Sequence, residues 1–482
     1  METKDLLALV LIPSAIAVTS AAACLSQRLR DLVFFGLVFG TVLAERISVN
    51  FASHYWYRGT VRGFEFSIVD ILALSLLLSS VLFPRYRDLG RYWPVSLGLM
   101  ILYFLYAAFS IAVSHPKLFG LFELSKMFRS LIVFLAVAWF VRSERELRIL
   151  VLALGFAVCF EGMYALKQRF IGGLYRVEGN LDHPNSLSMY LCLAAPVFVA
   201  TAASTMPRLL RYFASSCLAL SVVMILLTVS RAGIPAFFFI VLGTALFTVS
   251  LRPTLTKCLG VACLALAMAG LVASQWQNLV IRFQIERSLE EEYFDEQSEG
   301  RGHYFLLAKA IVDDQFFGVG LNNWSYWVCK RYGADRGWFY LDYDDLDYIP
   351  PKEALSNLLF APPAHNLAAL TVGELGWPGL VIFLLLWARW FQAGAKFLRR
   401  RSADPMDRLG TGIYFSIWGV FLQSITEWIF RQTPILFGFH ILLGVLASLY
   451  WQKRRSAKWQ QEQDTAEIEA ADSRERACAQ FE

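Results

Sequence analysis

The sequence predicts an all-α integral membrane protein with about 12 or 13 transmembrane helices. Of its 482 residues, 57% are hydrophobic and only 17% are charged, and the mean hydropathy is +0.48. These values exclude the soluble globular classes. Apolar spans of membrane-crossing length recur from Leu6 to Trp451. Each span must fold as a helix, because lipid offers no hydrogen-bond partner to its backbone.

Changes in composition divide the chain into four regions: an N-terminal transmembrane bundle (1–276), a long polar loop (277–364), C-terminal transmembrane helices (365–452) and a tail (453–482). The first span lacks the basic flank and small-residue cleavage site of a signal peptide. Two spans are marginal, Asp31–Ala44 and Phe128–Val141. The polar stretch Ser456–Glu482 predicts a frayed helix or a disordered segment.

Lysine and arginine mark the predicted cytoplasmic side, since short cytoplasmic loops are enriched in them. One set of alternate loops carries these basic groups: Arg28/Arg30, Arg85/Arg87/Arg91, Arg142/Arg145/Arg148, Arg208/Arg211, Arg252/Lys257, Lys396–Arg408 and Lys453–Arg455. The opposite set is poorer in charge: Glu45–Phe66, His115–Lys126, Lys167–Ser186, Ser230–Gly233, the long loop and Arg431–Pro434. The opposite set should therefore face away from the cytoplasm.

The long loop carries its own local signals. The apolar spacing from Phe305 to Val312 predicts a short helix that begins near His303, and Phe317-Gly318-Val319-Gly320 predicts a tight turn. An acidic, aromatic segment follows at Asp342–Asp347. Its spacing does not match a calcium-binding loop, and its aromatic rings could equally stack on sugars.

Three polar clusters lie at span edges on the charge-poor side: Arg176–Asn185, Ser230–Gly233, and the long loop with Arg301 and the His365-Asn366 pair that closes it. Polar groups at membrane depth are costly and tend to be functional. If the clusters meet, they form one cationic site at the membrane face. We therefore expect a membrane enzyme that acts on an anionic, lipid-linked substrate.

Two arginines are the first candidates for binding the anion. Arg231 joins two spans next to Ser230 and Gly233, and Arg301 lies between two glycines just before the predicted helix. A guanidinium offers a planar fork of donors that suits phosphate oxygens, and amides at a helix start add to such a site. The structural alternatives are an Arg231 that snorkels to the headgroups and an Arg301 that is simply solvated.

His365 is the candidate general base, because an imidazole can accept a proton from an attacking hydroxyl at neutral pH. Nearby arginines should disfavour its charged form. The alternative is a histidine that caps a helix, although Asn366 is itself a good N-cap residue.

Further polar residues are assigned supporting roles. Arg176 is a further candidate phosphate ligand, and His183-Pro184-Asn185 predicts a helix start in a hairpin that either supports the site or belongs to it. Glu374 and Glu427 lie in or at the end of spans, and an intramembrane carboxylate usually has a partner, so one should pair with an arginine.

No metal or nucleotide motif accompanies these clusters. Most of the eight cysteines lie in or beside apolar spans without the spacing of a zinc site, and no phosphate-binding Gly-x-x-x-x-Gly-Lys-Ser/Thr pattern occurs. The net charge of +5 follows from the basic loops and does not require nucleic acid. We expect an enzyme without cofactor or metal.

The ordered motifs resemble the bacterial O-antigen ligase and O-antigen polymerase superfamily, over about Arg176 to Leu380. They are Arg-x-x-Gly with His-Pro-Asn, then Ser-Arg-Ala-Gly, then Gly-Arg followed by Asp314–Gly320, then His365-Asn366 with Glu374-Leu375-Gly376. The first half of the chain matches only as a run of spans. The acidic, aromatic insert around Trp338–Tyr348 departs from the family pattern.

The resemblance implies a multi-span, C-type glycosyltransferase of the bacterial inner membrane, with its site on the periplasmic side. It implies a glycan donor linked to undecaprenyl pyrophosphate, two arginines on the pyrophosphate and a histidine that activates the acceptor, with no metal. By motif these are Arg231, Arg301 and His365.

Ligase and polymerase differ in the acceptor, which is lipid-A core, growing glycan or another hydroxyl, and the motifs do not separate them; exopolysaccharide synthesis stays open too. The alternative of another class is a transporter or flippase of lipid-linked sugars. Such a protein should place its charges near the bilayer midplane.

Overall fold

The computed structural model describes residues 3–54, 56–82, 92–249, 269–270, 272–273, 275–281, 301–333, 361–398 and 402–479. Helices dominate them: α1 Thr3–Leu25, α2 Gln27–Phe39, α3 Ile68–Leu82, α4 Leu97–Val113, α5 Lys117–Phe140, α6 Glu144–Phe170, α7 Pro184–Ala202, α8 Arg208–Thr228, α9 Gly233–Thr248, α10 Trp276–Val280, α11 His303–Asp314, α12 Trp324–Trp327, α13 Leu367–Ala395, α14 Pro405–Ser424 and α15 Thr433–Ala479. Two short strands, β1 Ser48–Phe51 and β2 Phe64–Ser67, pair antiparallel with Ser48 opposite Ser67.

The predicted fold class is confirmed as an all-α integral membrane protein. Within the described ranges, six helices are long and apolar enough to cross a bilayer: α1, α6, α7, α8, α13 and the first part of α15. Three shorter apolar helices accompany them, α3, α4 and α9. The total of 12 or 13 spans stays a prediction, since residues 83–91 and 250–268 lie outside these ranges.

The helix α7 forms the centre of the bundle. It packs against α8, α9 and α14, and nearly every residue from Asn185 to Thr201 is buried. A helix that is apolar all round is stable only with neighbours on every side. Its start follows the predicted signal, with Pro184 in the first turn and the His183 side chain as N-cap. The position of α7 brings its polar N-terminus into contact with several other elements.

The prediction that the segment His115–Lys126 is a loop is wrong. The helix α5 already begins at Lys117, and the marginal span Phe128–Val141 is its second half. Charges in and just after this stretch obscured the helix, but Glu123, Lys126 and Arg129 are paired inside the bundle. Lys126 Nζ lies 2.9 Å from Glu123 Oε2, and Arg129 Nη1 lies 2.8 Å from Asp70 Oδ2.

The helix α13 contains a true break at Gly376, whose φ is +67°. The turn that follows α11 packs into this break: Val319 N–H donates to Gly373 O (3.0 Å) and Gly320 N–H donates to Glu374 O (2.8 Å). Gly318 also has a positive φ, and a Cβ there would collide with the α13 backbone. The predicted turn at Phe317–Gly320 thus has a defined role in joining the long loop to α13.

The predicted helix from His303 is confirmed as α11. The acidic, aromatic segment Trp338–Tyr348 lies outside the described residues. The tail, expected as a frayed helix or disordered, continues α15 as helix to Ala479. The four predicted regions stay a proposal.

Candidate active site

His365 and Glu427 form the centre of the site. His365 precedes α13, and Glu427 lies in the short connection between α14 and α15. The Nδ1 atom of His365 lies 2.8 Å from Glu427 Oε2. The carboxylate is buried, whereas the imidazole is about a third exposed (30%) and can be reached from outside. Because an ionised carboxylate only accepts hydrogen bonds, Nδ1 carries the proton and the neutral ring has Nε2 as its acceptor.

Arg301 reaches the same carboxylate from the long loop. Its Nη2 donates to Glu427 Oε1 at 2.8 Å, and its Nη1 donates to the carbonyl of Thr426 at 2.6 Å. A guanidinium has five N–H donors in a fixed plane, so these contacts fix the plane of the group with two of the five. The part of the long loop that starts at Arg301 is thereby attached to the α14–α15 connection.

Asn185, in the first turn of α7, joins the remaining cluster to this pair. Its Nδ2 donates to Glu427 Oε1 at 2.6 Å. Its Oδ1 accepts from Ser230 Oγ at 2.9 Å and from Arg176 Nη2 at 3.3 Å. The single amide therefore links groups that are far apart in sequence, and the three predicted clusters meet at one place.

Arg176 is held on the other side of Asn185. Its Nε donates to the carbonyl of Thr228 at the end of α8 (3.2 Å). The loop that carries it is fixed by Gln168, whose Oε1 accepts from Gly179 N–H at 2.9 Å and whose Nε2 donates to Gly179 O at 2.8 Å. Burial is the main cause that lowers the pKa of Arg176, and the charges of Arg231 and Arg301 lower it further. Three guanidinium groups therefore share one electrostatic environment.

Arg231 lies half-buried in the turn between α8 and α9. A glycine at position 233 permits close approach of a backbone or a ligand. The structure gives that space to α7, because a Cβ at Gly233 would overlap the Ser188 hydroxyl. The glycine therefore permits close packing of α9 against α7, and Ser230 accepts the Gly233 N–H at 3.2 Å. The turn brings Arg231 close enough to Arg176 for its charge to lower the pKa of Arg176.

The charge balance of the site is positive. Burial alone would raise the pKa of Glu427, but the His365 hydrogen bond and the Arg301 charge outweigh it and hold the pKa below its usual value. Three arginines (Arg176, Arg231 and Arg301) and this one carboxylate leave a formal net charge of +2, not counting the histidines. His183 adds no charge at neutral pH, since its pKa is lowered. Burial is the main cause, and the charges of Arg176 and Arg301 lower the pKa further.

Of the predicted supporting residues, Glu374 belongs to a different cluster. Its Oε2 accepts from Arg431 Nη1 at 2.5 Å, and the backbone carbonyl of Arg431 accepts from Lys126 Nζ. This buried group holds the end of the connection that carries Glu427. Both intramembrane glutamates thus pair with arginines, where one pairing was expected. Asn366 caps α13 as predicted, with its Oδ1 2.7 Å from Ala369 N.

Sequence reasoning missed the central place of Glu427 and the role of Gln168. Glu427 was recognisable only as a carboxylate at the end of a span, and nothing in the pattern connected it with His365, 62 residues earlier. Gln168 lies between Lys167 and Arg169, where a polar residue gives no signal. Tyr304 of α11, with its ring 5.8 Å from that of His365, was likewise unmarked.

The arrangement suits anion binding and proton transfer. Within the described part of the chain, no three His, Cys, Asp or Glu side chains lie close enough together to hold a metal ion. An imidazole whose Nδ1 is fixed by a carboxylate can accept a proton at Nε2, and the arginines beside it can bind phosphate oxygens.

Residues 216–384 match the family model described as O-antigen ligase. The match includes Arg231, Arg301 and His365, whereas Arg176, Asn185 and Glu427 lie outside it. It supports membership of the O-antigen ligase and polymerase superfamily and, at family level, a membrane glycosyltransferase. No curated protein matches the chain.

Proposed function

We propose, on the premise that the chain is a member of the O-antigen ligase and polymerase superfamily, that it transfers a glycan from undecaprenyl pyrophosphate to an acceptor hydroxyl at the periplasmic face of the inner membrane. The observation that carries the proposal is the meeting of His365, Glu427 and Arg301, with Arg176 on the far side of Asn185. A base and an anion site thus occur side by side.

The charge of the site fits the leaving group. A glycosyl lipid pyrophosphate carries about two negative charges, one on each of its two phosphates. The net charge of +2 from Arg176, Arg231, Arg301 and Glu427 balances it. When the bond to the sugar breaks, a further negative charge develops on the pyrophosphate, and positioned guanidinium groups stabilise it electrostatically. The donor is already activated, so no nucleotide takes part.

The acceptor is activated by His365. Its hydroxyl oxygen attacks the anomeric carbon of the donor sugar, the bond from that carbon to the pyrophosphate oxygen breaks, and the hydroxyl proton passes to Nε2. Glu427 holds the proton on Nδ1 and stabilises the imidazolium that forms. The undecaprenyl pyrophosphate released from the sugar stays bound to the arginines at this step. The chemistry uses side chains of this chain alone, and no metal enters the proposal.

A transporter is the less favoured class. A transporter of lipid-linked sugars should hold its substrate groups near the bilayer midplane. Here Arg176, Arg231, Arg301 and His365 lie at the ends of helices, in the segments that join them.

The test uses purified protein in lipid nanodiscs with an undecaprenyl-pyrophosphate oligosaccharide. One arm supplies lipid-A core as acceptor and the other supplies only the donor, whose own glycan is then the acceptor. Transfer to core identifies a ligase and lengthening of the glycan identifies a polymerase. Movement of the donor between leaflets without a new glycosidic bond would refute both and support the transporter.

His365→Ala separates chemistry from binding. Single-turnover rate should fall by roughly 10²–10⁴-fold, the scale of a lost general base, while donor affinity is retained by the arginines. His54→Ala is the matched control, since His54 lies in the β1–β2 connection and contacts aromatic rings. If rate and donor affinity fell together with protein yield, His365 would be a folding residue.

A further inference from the structure

The turn after α11 exposes two adjacent aromatic side chains. Phe316 is 56% exposed and Phe317 is 52% exposed. Phe109 and Trp377 are each 49% exposed, and Gly376, the residue before Trp377, packs against the backbone of the turn. The rings of Phe317 and Phe109 have centroids 6.5 Å apart. A contiguous aromatic surface of this kind is unfavourable in water and usually has a partner.

The break in α13 sets the depth of this surface in the membrane. After Gly376, the 19 residues Trp377–Ala395 form the uninterrupted part of the helix. At 1.5 Å per residue they extend about 28 Å, close to the roughly 30 Å of a bilayer core. The span proper therefore begins at Trp377, and tryptophan prefers the membrane–water interface.

The aromatic turn is held at this same level. The backbone of Phe316 and Phe317 packs directly on Gly376, and the hydrogen bonds from Val319 and Gly320 to α13 fix it there. Phe109 lies one helical turn before Val113, the last residue of α4. Phe317 thus lies level with the ends of two spans.

We propose that the Phe316-Phe317 turn inserts into the leaflet on the active-site side of the bilayer, so that the long loop contacts the lipid surface directly. Its partner is a lipid surface, because the exposed rings continue the outward-facing apolar side of α4 at Leu105 and Phe109. The charged pair Lys309–Asp313 lies on exposed positions of α11 and stays with the headgroups and water.

The insertion has a consequence for the catalytic groups. The turn is attached to Leu367–Leu375, the short helix that His365 precedes, and to α11, which Arg301 precedes. Both groups are therefore held at the depth of the lipid headgroups, where a pyrophosphate between a glycan and a lipid chain lies. The insertion itself does not depend on the proposed reaction.

The test is photo-crosslinking in nanodiscs of phosphatidylethanolamine and phosphatidylglycerol. Benzoylphenylalanine replaces Phe317, Phe316, Leu105 or Lys309, one at a time, and lipid adducts are measured by mass spectrometry. Leu105 is the control on a span, and Lys309 is the control on the exposed side of α11.

We expect lipid adducts at Phe317 and Phe316 to be as abundant as those at Leu105. At Lys309 we expect few lipid adducts or none. Lipid adducts at Phe317 and Phe316 no more abundant than at Lys309 would overturn the proposal. Cross-links from Phe317 to a second copy of the chain would overturn it too, because the surface would then be a protein interface.

Discussion

Replacing Glu427 by glutamine keeps the shape of the side chain but changes its hydrogen-bonding capacity. In the structure the carboxylate faces three donors, namely Asn185 Nδ2 at 2.6 Å, Arg301 Nη2 at 2.8 Å and His365 Nδ1 at 2.8 Å. A glutamine has one acceptor oxygen and one donor NH₂. Its oxygen must face Asn185 and Arg301, since both can only donate there. Its NH₂ then faces His365.

An NH₂ group facing Nδ1 forces the imidazole to accept at that atom. The ring proton then moves to Nε2, the atom that should take the acceptor's proton, and the base is lost without loss of the histidine. We expect the single-turnover rate of Glu427→Gln to fall by roughly 10²–10⁴-fold, the range for a lost or misoriented general base.

The affinity for the donor should not fall with the single-turnover rate. The substitution removes the one carboxylate of the cationic site, so the net charge rises from +2 to +3, and affinity for a pyrophosphate should be retained or increased. A slow enzyme with intact donor binding is the signature of this defect.

The assay measures donor affinity and single-turnover rate in the same nanodisc preparation. Glu374→Gln is the matched control, because Glu374 is an equally buried glutamate paired with an arginine, Arg431, and does not contact His365. Both variants lose a buried ion pair, and only one changes the imidazole. Turnover of Glu427→Gln equal to that of Glu374→Gln would refute the tautomer argument.

The remaining predictions concern the arginines, the α13 break, pH and topology. Arg301→Ala should weaken donor binding and Arg301→Lys should restore it only partly, since lysine lacks the planar fork; Arg331→Ala, exposed in the same loop, should bind donor normally. Gly376→Ala should lower the free energy of unfolding by roughly 1–3 kcal/mol or more, because Gly376 has a φ of +67° and a Cβ would strike the Phe316 carbonyl. An unchanged melting temperature would contradict this. The pKa of Glu427 is depressed in the folded protein. The stabilisation that its carboxylate provides is therefore complete above the carboxyl pKa of the unfolded chain and is lost as pH falls through the folded pKa. The melting temperature of Glu427→Gln should accordingly fall less steeply in acid than that of the unsubstituted protein. A cysteine at Lys309 should react with an impermeant thiol reagent in intact cells and one at Asp404 should not; the reverse pattern would invert the topology.

The sequence alone was enough for the fold class and for most of the residues that meet in the site. Span composition predicted the membrane bundle, and local signals placed the starts of α7, α11 and α13, since caps and prolines act over a few residues. The N-cap role of Asn366 and the helix from His303 are confirmed for this reason.

What could not be predicted depends on contacts between distant elements. Charges in α5 suggested a loop, but they are paired inside the bundle, Lys126 with Glu123 of α5 itself and Arg129 with Asp70 of α3. The expectation that arginines set the environment of His365 was incomplete, because its nearest charged group is Glu427. Gly233 suits close approach of either a backbone or a ligand, and only the structure shows that the neighbour is α7 at Ser188. Sequence patterns report periodicity and capping, and they carry no information on which neighbour a side chain meets.

The position of Glu427 in the chain determines when the site is complete during biosynthesis. Asn185 is synthesised 242 residues before the carboxylate that it contacts, and Arg301 and His365 also precede it. A nascent chain that has inserted α7 to α13 already contains Arg176 and its partner Asn185. It lacks Thr426 and Glu427, whose contacts hold Arg301 and His365 in place. On the proposed function, transfer requires the α14–α15 connection, so the site becomes complete only when the last described span has been synthesised and Glu427 reaches Asn185, Arg301 and His365.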